Sequence, residues 1–488
     1  MSLERATRAG AWSALDIVLR QGVQFVVSII LARLLSPEDF GLMALLTFFT
    51  SLSISFVQGG LSMALVQRQD TTLEEESAVF WVNLAASAVF GAFLVLIAPA
   101  LAEFYEEPML RLLMFVAAAQ VVLAALGAVQ TALLTRTLRF DQLTKTGIVS
   151  SLISGGLGVA CAFSGWGVWA LAVQVVAMAG IGSLTLWWVS GWRPVLRFRL
   201  SAIRHLMGFG AFVSLSSLLE VLFTNGFALI VGKLYGVRDL GILNRAHGVQ
   251  ALPTGIISTI ISRTALPLFA ERAADPQALQ RAFKRSLSLA VLLTLPVLAG
   301  LSVLADLVIL ILFGEKWMPS APLLAILALA GMLMPFHVLN VQLVLAQGNS
   351  RLFFKLEIWK KVAGIFCLGV GSFYGIYGIA YASLLFSPIA FLINAAPTNR
   401  SIGYGAAKQL WDARGVIFTT LLMSCVLLVL KGRTELPPLF ELAFLSALGA
   451  GVYFAAGFLL KIPSFLEALS MGSLLLKRAP KEARPQEP

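Results

Sequence analysis

Charge is what this chain of 488 residues is short of: only 12% are Asp, Glu, Lys or Arg, about half of the roughly 25% found in soluble domains. That shortage argues against a water-soluble fold. Cysteine is scarcer still. Cys161, Cys367 and Cys425 are odd in number, far apart and each inside an apolar run, which speaks against a disulfide framework or thiolate metal site. They are expected to be small buried hydrophobes. The three histidines, His205, His247 and His337, are widely separated. HExxH, nucleophile-elbow and P-loop patterns are all missing, so neither a cofactor nor an enzymatic constellation is expected. Without a nucleotide site, uphill transport must draw on a proton or sodium gradient, a partner protein or the substrate's own gradient.

What the chain has is apolar side chains. Hydrophobic residues make up 58% and the mean hydropathy is +0.87, which places it in a bilayer. No signal-peptide cleavage site is evident, since the first apolar stretch is followed by many more. A crossing helix needs about 20 mostly apolar residues. That rule gives an all-α membrane protein of about fourteen helices, with spans at roughly 10–32, 40–66, 78–102, 109–134, 146–163, 168–190, 206–232, 240–269, 286–312, 320–346, 356–373, 376–396, 414–431 and 438–460. With both ends in the cytoplasm, 26 of the 36 basic residues fall on that side and seven on the other, as the positive-inside rule requires. The net charge of +11 is therefore a membrane-topology signal and not a nucleic-acid one. The linker at 191–205, with Arg193, Arg197, Arg199 and Arg204 among apolar residues, either lies on the anionic membrane face or simply sets topology. The tail is expected to be disordered from about Lys477.

The chain repeats itself. IILARLLSPEDFGLMALL, from Ile29 to Leu46, returns as ALIVGKLYGVRDLGILNR, from Ala228 to Arg245, setting Lys233 against Arg33, Asp239 against Asp39 and Gly241 against Gly41. VQTALLTRTLRF from Val129 returns loosely as VQLVLAQGNSRL from Val341, and GWGVWALA from Gly165 as GIYGIAYA from Gly375. Order and spacing are kept. Two pseudo-symmetric six-helix lobes follow, at 1–190 and 206–396, joined by the 191–205 linker. Two further helices lie within 397–460, and a cytoplasmic tail covers 461–488. Gly155, Gly156, Gly158, Gly369, Gly371, Pro253, Pro296 and Pro335 fall inside spans, where they serve close packing or kinks.

Ionisable residues at membrane depth are costly unless they face a cavity or a partner. Asp16 and Arg20 are four apart, on one face of the first helix, as either a structural ion pair or the lining of a water-filled path. Glu220 and Asn225 interrupt the seventh span. Arg245 and Arg263 share the eighth, about 27 Å apart at 1.5 Å per residue. His337 and Asn340 stand near Pro335, where they can hydrogen-bond sugars, freed backbone or simply their neighbours; Asp306 is expected to snorkel to the interface. Guanidiniums at several depths suit a diphosphate better than a cationic drug, because Arg offers a fixed fork of donors. In that reading Arg20, Arg245, Arg263 and Asn340 contact substrate. Asp16, Glu220, Asn225 and His337 tune the field or carry a coupling ion.

GAWS (Gly10 to Ser13), LARLLSPEDFGLMAL (Leu31 to Leu45), GGLSMALVQRQD (Gly59 to Asp70) and SAVFWVNL (Ser77 to Leu84) closely resemble bacterial polysaccharide-exporter flippases. The branch they are most similar to is the Wzx-type lipopolysaccharide and colanic-acid exporters of the multidrug/oligosaccharidyl-lipid/polysaccharide flippase superfamily. IVGKLYGVRDLGILNRAHGVQALP (Ile230 to Pro253) and SRTALPLFA (Ser262 to Ala270) extend the resemblance over about residues 8 to 460. It implies a twelve-helix core extended to fourteen, alternating access, and a cargo of undecaprenyl-diphosphate-linked repeat units moved across a bacterial inner membrane. A polysaccharide polymerase and a chain-length regulator are the implied protein partners. Thr224-Asn225-Gly226 departs from the acidic residue expected there, which puts ion coupling through that helix in doubt. Two other classes stay open: a cation-coupled multidrug or metabolite antiporter, and a membrane polysaccharide polymerase or ligase. The polymerase or ligase is disfavoured by short outer loops, where Glu38 and Asp39 read as turn and helix-start acids.

Overall fold

The computed structural model describes residues 21–68, 70–196 and 204–466, apart from the side chains of 57–59 and 204–213. Every regular element among them is a helix, the solution open to a backbone that must satisfy its own polar groups in hydrocarbon. The first half of the chain holds α1 (Gln21–Leu34), α2 (Pro37–Gly59), α3 (Leu61–Gln67), α4 (Leu73–Tyr105), α5 (Pro108–Ala125) and α6 (Ala128–Arg136). It continues with α7 (Phe140–Phe163), α8 (Val168–Ser190), α9 (Arg204–Asn225) and α10 (Phe227–Ala270). The second half holds α11 (Pro276–Val303), α12 (Ala305–Phe313), α13 (Ser320–Gly331) and α14 (Met334–Ala346). After them come α15 (Ser350–Gly371), α16 (Gly375–Ile402), α17 (Ala406–Leu430) and α18 (Pro438–Leu459). Among the described residues, eleven segments are long and apolar enough to cross a membrane. Two of these, Ser214–Ala270 and Ser350–Ile402, run to 57 and 53 residues, more than twice the length one crossing needs.

Packing divides the chain into two compact units, Met1–Asn244 and Arg245–Pro488. In the first, α7 lies against α8, α4 against α5, and α2 against α9. Phe80 anchors its core, buried with Leu65, Val79 and Val129 and flanked by Trp187 and Trp192. In the second, α11 packs on α17 and α13 on α16 around Phe269, Phe283, Phe336, Phe391 and Phe465.

Several stretches expected as single helices are broken. The span at 109–134 divides into α5 and α6 around Leu126 and Gly127, and that at 320–346 into α13 and α14. Hydropathy does not register such breaks, because the apolar run continues through them. What makes them tolerable is partners for the freed carbonyls. At the first break the Ser183 hydroxyl donates to Leu123 O, and the Trp187 indole donates to Leu126 O at 2.7 Å. At the second, Ser387 Oγ donates to Ala330 O at 2.7 Å. Each serine comes from the last helix of its proposed lobe, α8 in one case and α16 in the other. The cysteines also depart from expectation in their burial: Cys161 and Cys367 are only partly buried, and Cys425 is exposed. These outward positions on apolar helices suit contact with lipid, where a thiol is a small apolar group. Asp306 is not merely snorkelling either; it pairs with Lys431 Nζ at 2.6 Å.

The repeated motif brings two helix starts of the first unit into close contact. In the first copy, Ser36 and Asp39 form a reciprocal capping box with Pro37 in the first turn of α2, so Asp39 is a helix-start acid as expected. In the second copy Gly236, at φ 84, breaks α10 just before Val237. That backbone angle suits glycine alone. The two helix starts then meet reciprocally. A Cβ on Gly41 would lie 1.7 Å from Val237 O, and one on Gly241 would lie 1.9 Å from Pro37 O. Glu38 faces Arg238 across the same contact at 3.4 Å. Tyr105 reaches Leu229 O at 3.5 Å, and Lys233 meets Glu106 at 3.1 Å, so α4 holds the segment before the break.

A Glu38→Cys/Arg238→Cys variant, with the three native cysteines replaced, should be bridged efficiently by a short bifunctional maleimide. Adding Gly41→Val should cut the cross-linked fraction by more than half, since over-packing of this kind costs about 1–3 kcal/mol. Equal cross-linking in both backgrounds would mean that the glycines do not set this contact.

Candidate functional site

Of the eight candidate residues, Asp16 and Arg20 lie outside the described residues, as do 467–488 and the 197–203 part of the linker. The other six divide sharply. Arg245 is 8% exposed. Gly314, at φ 91, turns the chain after α12 into a short 3-10 segment that folds Trp317 inward. The Arg245 guanidinium then lies 4.8 Å from the Phe313 ring centre and 5.0 Å from that of Trp317. Two aromatic faces hold one cation, an arrangement worth about 2 kcal/mol or more when desolvated. Arg263, further along the same helix, is exposed.

Asn340 and His337 are joints. Asn340 is fully buried; its amide donates to Phe336 O at 2.8 Å and to Gln409 Oε1 at 2.9 Å, while Gln409 Nε2 donates back at 3.1 Å. This exchange fastens α14 to α17, and its polar groups are occupied. His337 lies 3.4 Å from Ser387 Oγ through Nε2 and 3.4 Å from Asn394 Nδ2 through Nδ1, which ties α14 to α16 beside the second helix break. Glu220 is exposed on α9, where its backbone carbonyl accepts from the Thr224 hydroxyl. Asn225 ends that helix before the Gly226 break, with Nδ2 3.5 Å from Thr224 Oγ1.

Two clusters escaped the sequence reading. One is an ion-pair hub in the first unit. Buried Glu76 takes Arg136 Nη2 at 2.9 Å and the Trp192 indole at 2.8 Å, and Arg136 also donates to the Thr71 hydroxyl. Val195 N donates to Ser77 Oγ, and the Trp81 indole donates to Val195 O, both at 3.0 Å. The first residues of the linker are thus fastened to α4. The acid run at 74–76 was legible, but its partners stand about 60 and 116 residues away. The second cluster is Arg272, Arg281 and Arg285, which line a cavity of about 680 Å³ between α10 and α11. In the sequence these three registered only as loop charges.

Apolar spans throughout, helices broken at satisfied joints and a cation held by aromatic faces describe a multi-pass helical membrane protein. The chain belongs to the polysaccharide biosynthesis protein family, whose model matches residues 30–322, well over half of it. It is 26% identical to the lipopolysaccharide biosynthesis protein WzxC of Escherichia coli, over 89% of this chain and 90% of that one. It is 27% identical to the teichuronic acid biosynthesis protein TuaB of Bacillus subtilis, over 72% and 74%. With the succinoglycan biosynthesis transport protein ExoT of Rhizobium meliloti the identity is 27%, over 69% and 68%. Among solved structures, the lipid II flippase MurJ in an inward closed conformation matches with a TM-score of 0.76 at 15% identity, covering 92% of this chain and 98% of that one. An inward-facing MATE family multidrug transporter matches at 0.60 and 15%, over 80% and 98%. These structures share the fold. The protein is accordingly a multi-pass membrane protein of polysaccharide biosynthesis.

Arg136→Ala should lower stability by about 3–5 kcal/mol, because it strands the buried Glu76 carboxylate. Adding Glu76→Gln should restore much of the loss in detergent melting curves. A single mutant that melts within a degree of the parent would show that the hub carries no stability.

Proposed function

We propose that this transporter moves undecaprenyl-diphosphate-linked oligosaccharide repeat units from the cytoplasmic to the periplasmic leaflet of a bacterial inner membrane, for surface polysaccharide assembly. The observation that carries the reading is the near-complete overlap with a lipid-linked substrate flippase fold, joined to family membership in polysaccharide biosynthesis. Splitting each of the two over-long spans at its break and adding α1 brings the eleven candidate spans to fourteen. An even number returns both ends to the cytoplasm, in keeping with the basic loops. The repeat then relates two six-helix lobes, with α17 and α18 added after them.

In that orientation the Gly41–Val237 and Gly241–Pro37 contacts lie at the periplasmic end and close it. Cargo enters from the cytoplasmic side and leaves when those helix starts part. Arg263, exposed on α10, meets the diphosphate through its fork of donors. Arg245 is held in its aromatic cage; it and Arg20 are the further candidate contacts for the cargo. Asp16 and Glu220 carry or tune a coupling proton or sodium ion. Asn340 and His337 contribute through the joints they make. A polymerase and a chain-length regulator receive the product.

Clean deletion should leave lipid-linked repeat units accumulated on the cytoplasmic leaflet, read by protection from an externally added glycosidase in spheroplasts. Arg263→Ala and Arg245→Ala should each cut complementation about ten- to hundredfold, the size of one lost charge-assisted hydrogen bond, with normal membrane levels. Normal surface polysaccharide in the deletion strain would overturn the reading. Full complementation by both variants would remove these arginines from the substrate path.

A further inference from the structure

The cavity between α10 and α11 has a graded lining. Along α11, Arg281, Arg285, Leu289 and Leu293 follow one another at four-residue spacing and so form one stripe. Arg272 stands at the matching end, in the turn just after α10, with Leu268 and Ile257 further in along that helix. The basic end is where the two helices join. There Asp275 caps α11 by accepting from Gln277 N and Ala278 N.

The charges at that end do not cancel. Arg272 donates to Glu271 at 2.8 Å and to Leu268 O at 3.0 Å, so it is oriented and already paired. Arg281 and Arg285 are exposed, and neither makes a hydrogen bond or ion pair among the described residues. Two guanidiniums without an ion-pair partner, at the mouth of an apolar groove, are suited to a phosphate that carries a hydrocarbon chain. Basic pockets between membrane helices bind anionic lipid headgroups in this way.

Depth selects the occupant. From Arg281 to Leu293 the stripe runs about 18 Å along the helix, close to one leaflet's half of a roughly 30 Å hydrocarbon core plus its headgroup margin. A polyprenyl chain long enough to cross both leaflets would outrun it. We infer that this groove holds an anionic phospholipid of the surrounding bilayer, with its phosphate between Arg281 and Arg285 and an acyl chain along Leu289, Leu293 and Ile257. Such a lipid clamps the end of α10, the helix that carries Arg263, to α11.

The test is native mass spectrometry on the delipidated full-length protein, titrated with phosphatidylglycerol, phosphatidylcholine and undecaprenyl diphosphate, first separately and then phosphatidylglycerol in competition with undecaprenyl diphosphate. The expected result is retention of phosphatidylglycerol about tenfold over phosphatidylcholine, weakening as salt rises. That preference should disappear in Arg281→Gln/Arg285→Gln and largely survive in Arg281→Lys/Arg285→Lys, with all three proteins melting alike. Equal preference in the Gln variant, or no preference in the parent, would overturn the inference. So would undecaprenyl diphosphate displacing phosphatidylglycerol from the parent at equal concentration, which would give the groove to the cargo.

Discussion

Two glycines, each pressed against a backbone carbonyl of the other copy of its own motif, set how closely α2 and α10 approach. Gly41 meets Val237 and Gly241 meets Pro37, so the contact is self-complementary in the way a two-fold interface is. Glu38 and Arg238 occupy equivalent places in the two copies and pair across it. In a bilayer, where lipid is as apolar as any side chain, helices associate by close approach of small residues. A methyl group at either glycine removes the approach. With α2 and α10 aligned in this way, the register of Arg245 and then Arg263 along α10 follows.

The same solvent explains what the polar residues are doing. A carbonyl freed by a helix break has no water to turn to, and Ser183, Trp187 and Ser387 supply what water cannot. Asn340 and Gln409 exchange hydrogen bonds, and His337 bridges Ser387 and Asn394. Depth in the membrane is therefore a weak guide to substrate contact, because the scaffold itself consumes buried donors and acceptors. Exposure separates the cases better: Arg263 and Glu220 are exposed, whereas Asn340 is sealed.

Much of the fold was legible in the chain, for reasons that differ from element to element. Hydropathy finds α4, α7 and α8 because each is one unbroken apolar helix. It misses the breaks at Gly127 and near Leu333, where composition stays apolar while the backbone changes course. The motif around Gly41 and Gly241 was readable as a repeat, since glycines and acids at fixed offsets stand out in aliphatic sequence. That the two copies touch each other was not readable, because spacing carries no information on distance between segments. Arg245 could be placed deep in the membrane, but Phe313 and Trp317 lie about 70 residues on. Arg281 and Arg285 counted only towards topology until Leu289 and Leu293 continued their stripe into a shared groove.

If transport runs by the proposed alternation, the reciprocal glycine contact is one closed state of a two-state element. Spin labels at Arg33→Cys and Lys233→Cys, equivalent positions of the two motif copies, report on it directly through their distance distribution in lipid nanodiscs. Without cargo a single short population is expected; adding the lipid-linked oligosaccharide should bring in a second, longer one. A distribution that stays single and unchanged in the presence of a cargo shown to bind would contradict it.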